Sequence, residues 1–223
     1  MTSPLLELRQ LSCERDERLL FRELNVQCHA GDLLQIVGPN GCGKTTLLRA
    51  LAGISTNYRG DILWRGQPVQ QARWRYASEL LFLGHLPGIK KALTPLENLR
   101  WYSELTASYD SFQILEALAQ VQLDAYADTP CYQLSAGQLR RVALARLYLS
   151  QASLWILDEP FTAIDKLGVT QLELLFQQHA AQGGVVIFTS HQDLTLPGLK
   201  HIHLLDYQLA AEPNSGGAAG YDD

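Results

Sequence analysis

The sequence predicts an α/β fold: a mainly parallel sheet with helices packed on it, a β-rich segment near the start and a helical block inserted in the middle. Two apolar runs typical of buried parallel strands, LLQIV from Leu33 and LWIL from Leu154, each lead into a polar loop. Strand and helix patterns alternate at both ends of the chain, whereas residues from about 87 to 150 carry only helical patterns. This arrangement is typical of a parallel α/β core that carries a helical insertion.

The first 70 residues are predicted to form short strands and turns. The segment LLELRQLSC alternates apolar and polar residues, ELNVQCHAGD is an alternating strand closed by a glycine turn, and GDILWRGQPV has the pattern of a hairpin arm. The apolar strand LLQIV lies between them. The helix TLLRALAG that follows it is expected to end at Gly53.

Three helices are expected in the central block. The first has Thr94 as its N-cap, Pro95 at the first helical position and Glu97 to complete a capping box. The second, SFQILEALAQVQL, is predicted to pack through a face formed by Phe112, Leu115, Leu118 and Ala119. The third starts after Ser135, and its apolar face is formed by Leu139, Val142, Ala143 and Leu147.

Strand and helix patterns return from Leu154. The segments LWILDEP, GGVVIFTSH and HIHLLDYQLA are predicted strands, with a helix around QLELLFQQHAAQ between the first two. We expect one domain over residues 1–212, in which residues from about 87 to 150 form a helical subdomain. Residues 213–223 are small and polar, and a disordered tail is expected there.

Composition argues against several classes of protein. The chain has 18 basic and 23 acidic side chains and a formal net charge of -5, which is atypical of nucleic-acid-binding surfaces, so no nucleic-acid partner is expected. No apolar run is long enough to span a bilayer, and the start, MTSPLLELRQ, lacks the pattern of a secretory signal, so a cytoplasmic location is expected. The four cysteines have no paired spacing, and reduced thiols are expected.

The loop after LLQIV carries the pattern of a phosphate-binding site. GPNGCGKTT fits G-x-x-x-x-G-K-[ST] and lies between an apolar strand and a helix, as the motif requires. Its glycines let backbone amides approach phosphate oxygens, and the helix N-terminus favours an anion. Lys44 is expected to contact the β- and γ-phosphates of ATP, and the Thr45 hydroxyl to bind Mg²⁺. The predicted nucleotide-binding residues of this loop are Gly38, Pro39, Asn40, Gly41, Cys42, Gly43, Lys44, Thr45 and Thr46.

Two further strand ends carry side chains suited to phosphoryl transfer. Asp158 follows the apolar strand LWIL and is expected to hold Mg²⁺, directly or through water, while Glu159 polarises the attacking water. His191 follows the strand in VVIFTSH and is expected at the same sheet edge, where its imidazole can contact the γ-phosphate. Glu159, His191 and Lys44 are therefore predicted to be catalytic, and Thr45 and Asp158 to be Mg²⁺ ligands.

The helix that starts after Ser135 is a second candidate for anion binding. Ser135 and Gln138 are spaced as a capping box. Gly137, in the first turn, costs about 1 kcal/mol relative to alanine in a helix, so we interpret it as a place where a ligand approaches the backbone. Because the γ-phosphate already has partners on one side, we expect this helix tip to contact ATP held by a second copy of the chain. Two copies would form a head-to-tail dimer that closes on ATP and opens after hydrolysis.

The segments GPNGCGKTT, LSAGQ, LWILDEP, TAID and SH, in this order, resemble the motifs of ATP-binding-cassette (ABC) nucleotide-binding domains over nearly the whole chain. The resemblance implies a P-loop NTPase fold with a RecA-like core, a β subdomain and an inserted helical subdomain. It also implies an ATP sandwich dimer in which Ser135 and Gly137, beside Gln138, act on the partner's nucleotide. Asp165 would line the dimer seam.

Within that family, LSCERDERLLF, GHLPGIK, LTPLENL, QLSAGQLRRVALARL and LWILDEPFTAID resemble the ATPase subunits of the haem exporter of cytochrome c maturation. The resemblance implies two copies at the cytoplasmic face of a bacterial inner membrane, bound to the membrane subunit CcmB and associated with CcmC and CcmD. ATP hydrolysis would drive release of the haem-loaded chaperone CcmE. The alternatives are the ATPase of another ABC transporter, a soluble ABC ATPase of translation or DNA repair, and a nucleotide-binding regulatory subunit with little turnover.

Two positions depart from the ABC pattern. The family places a glutamine, which contacts Mg²⁺ and the attacking water, where GHLPGIK has Leu86, and His85 is a candidate substitute. The family also stacks an aromatic residue on adenine. The corresponding region here, CERDER, offers Arg15, which either stacks through its guanidinium plane or is a solvated turn residue.

Overall fold

The computed structural model describes residues 3–15, 18–105, 109–192 and 194–208. Its strands are β1 (Leu6–Arg15), β2 (Arg18–Cys28), β3 (Leu33–Val37), β4 (Arg59–Trp64), β5 (Gln67–Pro68), β6 (Leu80–Leu83), β7 (Leu154–Leu157), β8 (Val185–Thr189) and β9 (Leu199–His203). Its α-helices are α1 (Lys44–Leu51), α2 (Arg73–Ser78), α3 (Pro95–Ser103), α4 (Ser111–Gln120), α5 (Ala136–Tyr148) and α6 (Lys166–Ala181).

The core of the fold is a five-stranded parallel sheet. Its strand order is β6-β7-β8-β3-β9, and every neighbouring pair is parallel. The strands β7 and β8 are buried along their whole length, which explains why they are continuous apolar runs in the sequence. Because all five strands run the same way, the loops that follow β3, β6, β7 and β8 meet at one edge of the sheet.

The smaller sheet is antiparallel, with the order β2-β1-β4-β5. The predicted hairpin is confirmed: Leu63 pairs with Pro68, and the turn between them has positive φ at Arg65 and Gly66. Positive φ at both central residues is the geometry of a two-residue hairpin turn. The predicted α/β class, with a β-rich segment and a helical block beside a parallel core, is confirmed.

The helices α3, α4 and α5 lie between β6 and β7 in the chain, and the described part of this block contains no strand. The predicted capping box of α3 is confirmed, since Thr94 accepts from the Glu97 amide and the Glu97 side chain accepts from the Thr94 amide. Between the helices, however, the chain forms loops and short 3₁₀ turns, so the block is less helical than its sequence pattern suggested.

The predicted packing face of α4 is wrong except for Leu118. The buried residues are Ile114, Ala117 and Leu118, whereas Phe112 is 67% exposed and Leu115 39% exposed, and Ala119 is also exposed. The helix is apolar on more than one side, so its spacing is compatible with two faces. Packing against α3 and α5 selects the face that contains Ile114.

Two further differences concern short elements. The helix α2 was not predicted, because six residues are too few to display helical periodicity. The last strand does not extend through all of HIHLLDYQLA, as was predicted. It ends at His203, because a 3₁₀ turn at Leu204–Tyr207 follows and buries Leu204. The predicted tail at 213–223 lies outside the described residues.

Apolar side chains form two clusters on opposite faces of the parallel sheet. One cluster joins the antiparallel sheet and α1 to one face, and it includes Ile156 of β7. The other joins the helical block and α6 to the opposite face, and it includes Trp155 and Leu157 of the same strand. Alternate residues of β7 therefore hold the two halves of the fold together. Over the residues that the structure describes, every helix is too short or too polar to cross a bilayer.

The histidine on α6 has an unusual environment. The His179 ring stacks on Trp155, with the ring centroids 3.8 Å apart and the planes 10° from parallel. Its Nε2 is buried and has no hydrogen-bond partner among the described residues. Burial lowers the pKa of His179 from 6.5 to about 4, because a charged imidazole would lose its hydration there.

We predict that His179 makes the folded chain less stable as the pH falls from 6.5 towards 4. Over this window the unfolded chain holds a proton that the folded chain lacks, so lowering the pH favours unfolding. Urea unfolding midpoints at several pH values would measure the effect, and the substitution His179→Phe should keep the stacking but remove this part of the slope. Equal slopes for the two proteins would contradict the assignment.

Candidate nucleotide-binding site

The phosphate-binding loop lies between β3 and α1, as predicted. The helix α1 begins at Lys44, and no described side chain caps it, so the amides of its first turn are open to an anion. The residue before it, Gly43, has φ 108°, and a Cβ there would lie 3.1 Å from the Cβ of Leu20. The backbone conformation therefore favours glycine, and the close packing leaves little room for a side chain.

The side chain of Lys44 is folded into this loop. Its Nζ donates to the carbonyl oxygens of Gly38 at 2.6 Å and Pro39 at 3.2 Å, and the residue is buried. The positive charge is thus held at the centre of the loop, close to the open amides.

Most of the predicted residues surround one cleft of about 750 Å³. Its lining residues from the predicted set are Pro39, Asn40, Gly41, Gly43, Lys44, Thr45, Thr46, Asp158, Glu159 and His191. Two loop residues do not line it. These are Gly38 and Cys42. Cys42 is buried, and its Sγ would lie 2.5 Å from a Cβ added to Gly38, so this pair packs together beneath the loop. Residues Arg15 and Arg18, at the ends of β1 and β2, also line the cleft.

The carboxylate of Asp158 is the most constrained polar group in the cleft. It is 2% exposed, and it accepts a hydrogen bond from the Thr45 hydroxyl at Oδ2 and from the Thr189 hydroxyl at Oδ1, both at 2.9 Å. Hydroxyl and carboxylate oxygens are the ligands that Mg²⁺ prefers, so Thr45 and Asp158 have the chemistry and the proximity of a magnesium site that is completed by phosphate.

Glu159 lies beside His191 at the same edge of the sheet. Its Oε1 is 3.4 Å from His191 Nε2, and the Glu159 side chain is mostly buried whereas His191 is exposed. The Glu159 backbone has φ 51°, which is strained for a residue with a side chain, and its amide donates to the Thr189 hydroxyl at 2.8 Å. Strain that is held in place by such bonds is typical of functional sites.

Two residues that support the site, Thr189 and Arg140, were not predicted from the sequence. The Thr189 hydroxyl links Asp158 to the Glu159 amide, and the Arg140 guanidinium of α5 donates to backbone carbonyls behind the cleft. A signal for Arg140 was available, because it is a charged residue next to the apolar face of α5. No sequence pattern around Thr189 predicts its contacts with Asp158 and Glu159.

The two candidates after β6 point in different directions. His85 lines the cleft, whereas Leu86 is 81% exposed and does not line it. The group that can reach a bound nucleotide from this loop is therefore an imidazole, which can donate or accept a hydrogen bond.

The tip of α5 lies outside the cleft of its own chain. Its predicted capping box is confirmed, with Gln138 N donating to Ser135 Oγ at 3.2 Å and Ser135 N to Gln138 Oε1 at 2.9 Å. The structure gives Gly137 a further explanation besides approach by a ligand, which stays a prediction. A Cβ there would lie 2.8 Å from the carbonyl oxygen of Ala163, so packing within the chain already requires glycine.

Asp165 also lies outside this cleft and has contacts within the chain. It is the N-cap of α6, where Oδ1 accepts from the Gly168 amide at 2.8 Å, and its Oδ2 is 3.6 Å from Arg141 of α5. The exposed tip of α5 and the start of α6 are thus joined at the surface.

The phosphate loop, the acidic end of β7 and the histidine after β8, in a parallel core with an inserted helical block, define the ATP-binding domain of an ABC transporter. The family model described as "ABC transporter" matches residues 21–162. The chain is 48% identical over 224 residues to the "Cytochrome c biogenesis ATP-binding export protein CcmA" of Saccharophagus degradans, covering 96% of this chain and all of the relative. The chain belongs to the CcmA family of ABC transporter ATP-binding proteins.

Solved structures have the same fold. A putative ABC transporter ATP-binding protein from Pyrococcus furiosus superposes with a TM-score of 0.79 at 26% identity, over 91% of this chain and 98% of that one. The ATP-binding cassette MJ0796, a dimer in a post-hydrolysis state bound to ADP and Pi, superposes with a TM-score of 0.75 at 20% identity, over 84% of this chain and 88% of that one.

Proposed function

We propose that the chain is the ATP-hydrolysing subunit of an inner-membrane ABC complex for cytochrome c biogenesis, and that it powers haem export and the release of haem-loaded chaperone. The proposal of ATP hydrolysis is supported by one observation: the phosphate loop, Asp158, Glu159 and His191 line the same cleft. The extensive identity to CcmA proteins supports the biological role.

The residues of the cleft have different roles in phosphoryl transfer. The open amides of α1 and the Lys44 ammonium bind the phosphates of ATP, exchanging the carbonyl contacts of Lys44 for phosphate oxygens. Thr45 and Asp158 would hold Mg²⁺, which would neutralise charge on the phosphates. Glu159 accepts a hydrogen bond from the attacking water, and His191 and His85 contact the γ-phosphate or that water.

The complete site is proposed to need two copies of the chain. Ser135, Gly137, Gln138 and Asp165 do not line the cleft of their own chain, and Ser135 is exposed at the tip of α5. A second copy placed head to tail would bring this tip to the open side of the cleft, where the helix N-terminus favours the γ-phosphate. The dimeric state of MJ0796 with ADP and Pi supports this arrangement.

Membrane partners are proposed on the surface of the helical block. Leu86, Trp101 and Leu105 are among the large apolar side chains exposed just before and within this block, at 81%, 43% and 66%. A contiguous patch of such side chains would favour a protein contact. The proposed partner is a CcmB-like membrane subunit, with CcmC and CcmD and an indirect link to the haem chaperone CcmE. The chain would then be peripheral to the inner membrane, at its cytoplasmic face.

We predict that Glu159→Gln lowers ATP hydrolysis by about 100-fold or more, because the attacking water loses its base. ATP binding should persist, and the variant should form ATP-dependent dimers in analytical ultracentrifugation, alone or with its membrane partners. The matched control is Glu116→Gln, on the exposed face of α4. A wild-type rate no faster than that of Glu159→Gln would favour a regulatory subunit with little turnover.

In cells, we predict that Lys44→Ala abolishes the production of c-type cytochromes in a strain that lacks its own copy of this subunit. The substitution removes the charge that binds the phosphates. Haem staining of membrane proteins would measure the result. Lys200→Ala, which removes only a surface ion pair with Asp32, is the control and should support normal levels. Normal cytochromes with Lys44→Ala would refute the assigned role.

A further inference from the structure

One buried guanidinium joins the inserted helical block to the catalytic edge of the sheet. Arg140, on α5, donates from Nη1 to the carbonyl oxygen of Gly84 at 3.0 Å. Its Nη2 donates to the carbonyl oxygens of Asp158 at 2.7 Å and Glu159 at 2.8 Å. The residue is only 6% exposed, so these contacts are shielded from water.

Each of the three carbonyls belongs to a loop that forms the cleft. Gly84 precedes His85, and Asp158 and Glu159 are the proposed metal ligand and catalytic base. The planar fork of arginine can hold all three oxygens at once, whereas a lysine ammonium presents a single point charge. The Arg140 cation is hydrogen-bonded to carbonyls and not to a carboxylate, so its burial is unfavourable. The nearby negative charges of Asp158 and Glu159 offset part of this desolvation penalty.

The same helix carries the tip that is proposed to contact the partner's ATP. Arg140 lies five residues after Ser135, and between them Gly137 packs against the Ala163 carbonyl at the other end of the Glu159 loop. That loop also holds Glu159 and Ala163 at φ 51° and 61°. The first turns of α5 therefore contact the Glu159 loop at two places, through the hydrogen bonds of Arg140 and the close approach of Gly137 to Ala163, so a movement of the tip would have to be accommodated by that loop.

We propose that Arg140 is a positioning residue that couples the two ATP sites of the dimer. When the α5 tip engages ATP in the partner's cleft, the guanidinium moves with the helix and, through its hydrogen bonds, repositions the Gly84 and Glu159 carbonyls of its own chain. Glu159 and His85 then reach their working positions in their own cleft. This inference rests on the proposed function, because it requires hydrolysis at Glu159 and a dimer.

The test is steady-state hydrolysis by Arg140→Lys and Arg140→Gln in the complex with the membrane partners. Both variants should lower kcat at least tenfold, and the Hill coefficient for ATP should fall towards 1. ATP affinity, measured in the Glu159→Gln background, should stay within about twofold of its original value. Arg146→Lys is the matched control, because Arg146 lies on the same helix, is partly buried and stacks on Tyr102, away from the cleft. It should keep both kcat and the Hill coefficient.

The proposal is overturned if Arg140→Lys keeps the wild-type kcat and Hill coefficient, or if Arg146→Lys lowers both to the same extent. Should the Arg140 variants not fold, hydrogen exchange on the wild-type complex replaces them. ATP should then protect the amides of residues 84–86 and 158–163 together with the start of α5, and independent protection of these segments would refute the coupling. A wild type that does not hydrolyse ATP would instead refute the proposed function.

Discussion

The buried carboxylate of Asp158 is the constraint on which the arrangement of the site depends. A carboxylate that is almost fully buried must have its oxygens satisfied, and here the hydroxyls of Thr45 and Thr189 do so. These bonds fix α1 and β8 relative to the end of β7. Because Arg140 holds the carbonyl of the same residue, the inserted helical block is tied to this point as well.

The position of this carboxylate follows from the parallel sheet. Strands that run the same way deliver the phosphate loop, the His85 loop, the acidic loop and His191 to one edge, although they are far apart in sequence. The apolar clusters on both faces of β7 keep that edge rigid, and the strained backbone at Glu159 is tolerated because its neighbours hold it. The fold thus gathers the phosphate loop, Asp158, Glu159 and His191 in one cleft, while the α5 tip lies outside it.

The sequence predicted those features that depend on neighbours in the chain. The phosphate loop, the capping boxes at Thr94 and Ser135 and the hairpin at Arg65 are local patterns, and the structure has each of them. Features that depend on distant contacts were harder to predict. The buried face of α4 is selected by its neighbours, and the roles of Thr189 and Arg140 depend on atoms many residues away. The packing of Gly137 against the Ala163 carbonyl is a further example, because no local pattern predicts it.

In the proposed dimer, each ATP is held between the phosphate loop of one copy and the α5 tip of the other. Mixing two inactive variants tests it most directly: Lys44→Ala, with an intact tip, and Ser135→Asp, which keeps the N-cap but places a negative charge beside the triphosphate. Ser135→Asn is the neutral control. Differently tagged mixed dimers contain one intact composite site, and we expect them to hydrolyse ATP well above either variant alone. Mixed dimers no more active than their parents would contradict it.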